Sequence, residues 1–267
     1  MSQITNPNRL SKMRARATSH GMFLQREAAV ELQDRLNEVN RTFTKPAIVT
    51  GFPDLWREYF PNADIVPDED VFSLTPGTYD LVIHGLSLHW ANDPVGQLIQ
   101  SHRALRADGL FLGAMFGGQT LSELRAVLAE TESKLTGGLS PRVLPMGDIA
   151  DLGALMQRAG FALPVADSAL RTVTYSDMFA LMRDLRVMGE GNAMEVHATR
   201  TPRALFPTAA ARYVDAYASD GRIPASFEMI FLTGWAPHES QQKPLRPGSA
   251  RTRLAAALGT DETKLPD

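Results

Sequence analysis

Side chains able to do chemistry gather at two points of the sequence. His84-Gly85-Leu86-Ser87-Leu88-His89-Trp90 closes one apolar run, and Met115-Phe116-Gly117-Gly118 closes the next. A histidine can serve as a general base or a metal ligand, and paired glycines let a ligand or a second backbone come close. Metal chemistry needs several converging ligands, and the chain has no H-E-x-x-H, no His-x-His and no cysteine. No metal site is therefore expected. Ser87 does not sit in a G-x-S-x-G elbow, so a hydrolase triad has no support. His84 reads either as a base or as a histidine satisfied within its strand. His89 and Trp90 read as the wall of a pocket. Gly117-Gly118 is either a packing turn or a seat for a ligand, and both readings stay open.

The elements that must carry these residues lie in residues 79–118. Leu81-Val82-Ile83 is a β-branched apolar run. Asn92-Asp93-Pro94 then supplies a helix cap and a first-position proline, ahead of apolar Val95, Leu98, Ile99 and Leu105. Asp108-Gly109 turns the chain into a second apolar run, 110–116. Strand, helix, strand is a βαβ unit, and strands apolar on both faces suit a buried parallel sheet. Ligands of such sheets sit beyond the carboxyl ends of the strands, where both clusters fall.

Around this unit the sequence predicts an α/β alternation. Residues 9–20 are a basic arm, either solvated or folded over a substrate site, and 22–40 form an amphipathic helix. Short strands at 47–51 and 63–66 flank a helix at 53–60. A helix follows over 121–135, where Thr120 and Glu123 make a capping-box pattern. Further helices are expected at 148–159, 175–188 and 207–218, with extended segments at 162–174 and 226–235. The tail carries Lys243, Arg246, Arg251 and Arg253 between prolines and is expected to be partly disordered.

Composition narrows the function classes. A net charge of -3 gives no reason to expect nucleic acid as a partner. The absence of cysteine excludes thiolate nucleophiles and disulfides. No apolar run approaches the ~18 residues of a membrane span, and the basic start lacks the apolar stretch of a signal peptide. A soluble, non-secreted protein is expected, with peripheral membrane association left open.

A nucleotide-type cofactor wants glycines at the first strand-to-helix turn, because only bare backbone approaches its phosphates or ribose closely. That turn reads Thr50-Gly51-Phe52-Pro53-Asp54, with one glycine. Gly189-Glu190-Gly191, the G-x-G of the chain, follows a predicted helix and reads as its stop.

LSLHWANDP, LRADGLFLGAMFGGQTLSELR, DLGALMQRAGF and TGWAPHESQQKPLRPGSA resemble the class I S-adenosylmethionine-dependent methyltransferase-like family. The branch is that of the mitochondrial complex I assembly factor 5, an arginine hydroxylase, and of the malonyl-carrier-protein methyltransferase of biotin synthesis. The likeness runs from Arg9 to about Ala250. It implies a seven-stranded Rossmann-like sheet with S-adenosylmethionine over the first strands, and a helical insertion at 175–224. It also implies a protein partner, a respiratory complex I subunit, and an organellar matrix or bacterial cytoplasm. The first cofactor motif departs from the family's L-D-L-G-C-G-x-G. Residues 65–82 run from the family's third strand into its fourth without a gap, so strand two and its helix are expected to be missing, about 30 residues with their turn. The carboxylate that would hold the ribose goes with them.

The resemblance carries a cofactor-binding role to Gly51, Asp68, Leu86, Ser87 and His89. It carries a substrate or partner role to Arg14, Arg16, Trp90, Gly117 and Gly118, and names no catalytic residue. The expected organisation is an arm and helix at 1–45, a methyltransferase-like domain at 46–240 and a tail at 241–267. Damage confined to the first glycine loop favours an assembly factor that has lost or weakened its cofactor site. The alternative is an active methyltransferase or hydroxylase of the same family.

Overall fold

Six strands share one sheet: β1 (Pro46–Thr50), β2 (Asp64–Val66), β3 (Tyr79–Gly85), β4 (Leu105–Phe116), β5 (Ala162–Tyr175) and β6 (Ile223–Trp235). Their spatial order is β2-β1-β3-β4-β6-β5. The first four are mutually parallel, and β6 runs antiparallel between β4 and β5. This computed structural model describes residues 3–196, 200–241 and 259–260. The chain divides into Met1–Pro237, which holds the sheet, and His238–Asp267. The tail expected at 241–267 lies almost wholly outside the described residues.

Alternation along each strand explains the layering. Ile48, Leu81, Ile83, Leu110, Leu112 and Phe231 point into one core, and Ala47, Val82, Phe111, Met115 and Ile230 into the other. Helices α2 (Phe23–Glu38), α3 (Pro53–Tyr59), α5 (Ser122–Thr136), α7 (Met178–Val187) and α8 (Leu205–Tyr217) cover the first face. Helices α4 (Pro94–Ala104) and α6 (Ile149–Arg158) cover the second. Helix α2 is stitched to β5 by ion pairs from Arg35 to Asp167, at 2.6 Å, and from Glu27 to Arg171. No described helix is long and apolar enough to cross a membrane.

The six strands are one fewer than the seven the resemblance implies, and the three-residue β2 meets β1 directly. A single short helix, α3, makes the connection. Asp93 caps α4 through Gly96 N–H at 2.8 Å, as its sequence dictates.

Three local expectations fail. The Asp108-Gly109 turn is a kink inside β4, with Asp108 at φ +59°, because Leu105 already pairs with Tyr79. Thr120 and Glu123 form no capping box. Thr120 Oγ1 bonds the Glu228 backbone, and the Glu123 carboxylate takes Ser226 N–H at 3.1 Å, so both side chains tie α5 to β6. The helix expected from 175 starts at Met178, because Tyr175 is still paired with Ile223 and Asp177 supplies the cap. The arm at 9–20 is largely helical: α1 (Pro7–Arg14) is capped by Asn6, whose side chain accepts from Arg9 N–H at 3.0 Å.

Candidate functional site

Strand order reverses between β1 and β3, and a cleft of about 700 Å³ opens at their carboxyl ends. Arg14, Thr50, Gly51, Asp68, Trp90 and Gln97 are among its walls. Arg14 comes in from α1 and makes a two-pronged bond to Asp68, at 2.7 and 2.6 Å. Its guanidinium lies over Gly51, where a Cβ would stand 2.2 Å from its central carbon. Burial pushes the Asp68 carboxyl up, and the Arg14 bonds and charge more than reverse this, leaving it below the usual carboxylate range.

The loop bearing Asp68 is held from behind. Gln97 Nε2 donates to the carbonyls of Asp68 and Glu69, at 3.3 and 3.1 Å, and its Oε1 accepts from His84 Nε2 at 2.9 Å. With Gln97 Oε1 as acceptor, His84 Nε2 carries the proton. Nδ1 lies 3.5 Å from Ser87 Oγ. Burial drops the His84 pKa to about 4. His84 is thus a satisfied strand histidine, and Ser87 is its buried neighbour. Leu86 is also buried, at φ +43°, and its carbonyl takes Gln25 Nε2 at 3.2 Å. Gln25 Oε1 in turn accepts from Trp56 Nε1 at 3.0 Å. Leu86 and Ser87 do not line the cleft.

A second cavity, of about 360 Å³, lies across α1. Helix α1 is the partition: Pro7, Leu10, Ser11 and Arg14 face the cleft, and Arg9 and Met13 face the cavity. Asn92 anchors the segment ahead of α1, accepting from Ile4 and Thr5 N–H at 2.9 Å each. Trp90 lines both spaces. Its Nε1 donates to Glu190 Oε2 at 2.7 Å, and His89 Nε2 reaches the same oxygen at 3.2 Å. Phe116 N–H approaches His89 Nδ1 at 3.4 Å, which leaves the ring proton on Nε2. Phe116, Leu124, Leu185 and Phe227 furnish apolar wall, and Arg16 belongs to the lining.

Glu190 sits inside the G-x-G. Gly189 has φ +80° and ends the turn after α7, as the sequence suggests. A Cβ on Gly189 would lie 3.2 Å from Arg14 Cα, and one on Gly191 would lie 2.6 Å from Met13 Sδ. These glycines let α1 close down on Glu190.

Gly117 and Gly118 line neither space. A Cβ on Gly117 would stand 2.5 Å from Glu228 Oε2, so its room is taken by the protein itself. The turn is fastened by Arg125, which donates to the carbonyls of Gly118 and Thr120 at 3.0 and 3.1 Å. Gln25, Gln97, Arg125 and Glu190 escaped the sequence reading because each acts on a partner remote in sequence or on backbone atoms. Among the described residues no group of three His, Cys, Asp or Glu converges as a metal site.

The cleft is large enough for S-adenosylmethionine, since ligand sites span roughly 300–1,000 Å³. Its present residues do not fit that group: the acid is committed to Arg14 and the glycine turn is covered.

No protein-family model matches the chain. It is 40% identical over 196 residues to the mitochondrial arginine-hydroxylase NDUFAF5 of Danio rerio, covering 73% of this chain and 61% of that protein. The Homo sapiens arginine-hydroxylase NDUFAF5 is 42% identical over 191 residues, 71% and 55% of the two chains. A malonyl-acyl-carrier-protein O-methyltransferase of Laribacter hongkongensis is 34% identical over 185 residues, 69% and 60%. The chain therefore spans about three fifths of the length of these curated relatives. Among solved structures, the YcgJ protein of Bacillus subtilis superposes with a TM-score of 0.50 at 11% identity, covering 79% of this chain and 98% of that one. This likeness concerns the fold.

Proposed function

Because the chain belongs to the class I methyltransferase-like family, we propose that it is an assembly or maturation factor acting on a protein partner, with its S-adenosylmethionine site weakened from within. The observation that carries this reading is the Arg14–Asp68 pair over Gly51. A cofactor would have to break that pair before it could use the acid or the bare backbone. A charge-assisted hydrogen bond contributes ~1.5–3 kcal/mol, so each one denied to the ligand lowers affinity about ten- to a hundredfold. The resemblance supports a respiratory complex I subunit as the partner, in an organellar matrix or a bacterial cytoplasm.

A second reading keeps the protein an active enzyme of the family, a hydroxylase or methyltransferase. It is favoured by the juxtaposition of a cofactor-sized cleft and an apolar cavity with Trp90 as common wall. Calorimetric titration of the full chain with S-adenosylmethionine and S-adenosylhomocysteine separates the two. Absence of saturable heat from the folded protein is expected. Binding in the micromolar range overturns the first reading and favours the second.

A further inference from the structure

Glu190 lacks the partner that a buried carboxylate normally has. Only 11% of its side chain is exposed, and the bonds from Trp90 and His89 both end on Oε2. A carboxylate so far withdrawn from water is ordinarily paired with a cation. No lysine or arginine among the described residues is paired with Glu190. Four arginines nevertheless line the same cavity: Arg9, Arg16, Arg142 and Arg186. Arg142 is engaged by Glu132, at 2.6 Å. Arg16 and Arg186 are exposed, stand at the rim, and have no acidic partner among the described residues. Between rim and floor the walls are mostly apolar.

These charges impose a layered requirement on an occupant. The floor wants a cation, the walls want an alkyl stem, and the rim repels any segment that brings positive charge alone. The volume, about 360 Å³, is at the small end for ligand sites. We propose that the cavity receives one cation-tipped side chain, a guanidinium or ammonium on an alkyl stem, from a protein segment with acidic neighbours. The tip pairs with Glu190, and the flanking carboxylates pair with Arg16 and Arg186. This inference rests on the reading that the partner is a protein and is independent of whether S-adenosylmethionine binds.

The test is fluorescence anisotropy of the full chain with labelled synthetic peptides that carry one arginine between pairs of glutamates. Matched peptides replace the arginine by lysine or citrulline, or the glutamates by serine. The arginine and lysine peptides are expected to bind, and the citrulline and serine peptides to bind at least about tenfold more weakly. Glu190→Gln, which keeps an acceptor for Trp90, should weaken the arginine peptide about tenfold and leave the citrulline peptide unchanged. Arg16→Glu with Arg186→Glu should erase the preference for acidic flanks and preserve the preference for the cationic tip. Equal binding of arginine and citrulline peptides to the wild-type protein overturns the proposal, as does saturable binding by none of them. Neither result depends on the cofactor titration, so failure here and failure of the functional reading are distinguishable.

Discussion

Replacing Arg14 by alanine does two separable things. It leaves Asp68 buried without its cation, and it clears the space above Gly51. The Asp68 side chain is 7% exposed and that of Arg14 16%, so the pair is nearly withdrawn from water. Removing one member of a buried pair costs ~3–5 kcal/mol, and a site that borders an open cleft belongs at the lower end, about 3 kcal/mol. For a domain of this size each kcal/mol moves the melting temperature by roughly 2–4 °C, so a fall of about 6–12 °C is expected at neutral pH. In the variant only burial acts on Asp68, and burial raises a carboxyl pKa. The cost is therefore fully present above that raised pKa and shrinks on acidification, as Asp68 takes up a proton. Calorimetric melts of both proteins at neutral and mildly acid pH measure this, and a titration with S-adenosylhomocysteine measures the second effect. The freed carboxylate can accept from a ribose, and each such bond contributes ~1.5–3 kcal/mol, so affinity should rise about tenfold or more. A variant that melts with the wild type refutes the energetic role of the pair. A variant that melts lower yet binds the ligand no better refutes occlusion by Arg14, and leaves the missing glycines as the cause.

His84 should make folding stability fall with acidity. Its folded pKa of about 4 lies below the ordinary 6.5, so its contribution is complete above 6.5 and is lost progressively down to about 4. The loss amounts to about 3 kcal/mol, and urea melts across this window should show a gentler slope in His84→Gln. Gly117→Ala should cost about 1–3 kcal/mol, because the new Cβ meets Glu228 Oε2 at 2.5 Å and Ile230 Cδ1 at 2.6 Å. Gly118→Ala, whose nearest neighbour is 3.6 Å away, should melt close to the wild type. Asn92→Ala removes the acceptor of Ile4 and Thr5 N–H and the donor to the Thr5 carbonyl. At about 1 kcal/mol per bond, amide exchange over 4–14 should quicken at least about tenfold while the β3 amides keep their protection.

The sheet was legible because its strands are continuous apolar runs bounded by turns, and Asp93-Pro94 announces a helix in any context. The candidate site was legible only in outline. Gly51 and Asp68 do line one cleft, and Trp90 is a wall, but Arg14 spans to Asp68 across 54 positions, and nothing local in the sequence marks that bond. Gly189-Glu190-Gly191 showed its helix stop through glycine, whereas the role of Glu190 depends on His89 and Trp90 about a hundred positions away. The capping-box pattern at Thr120 and Glu123 misled for the same reason. A side chain that can serve its own helix can equally serve a strand that the fold brings alongside, and here β6 won.

Trp90 stands with its indole between the two spaces and its N–H on the carboxylate that floors one of them. Trp56, by contrast, is wholly buried against Gly85. A guest in the cleft that tilts the Trp90 ring changes the shape of the cavity and the acceptor strength left on Glu190. By thermodynamic linkage, a guest in the cavity then changes affinity in the cleft by the same factor. The shared ring makes the two compartments a coupled pair, and its own emission is the natural readout of that coupling.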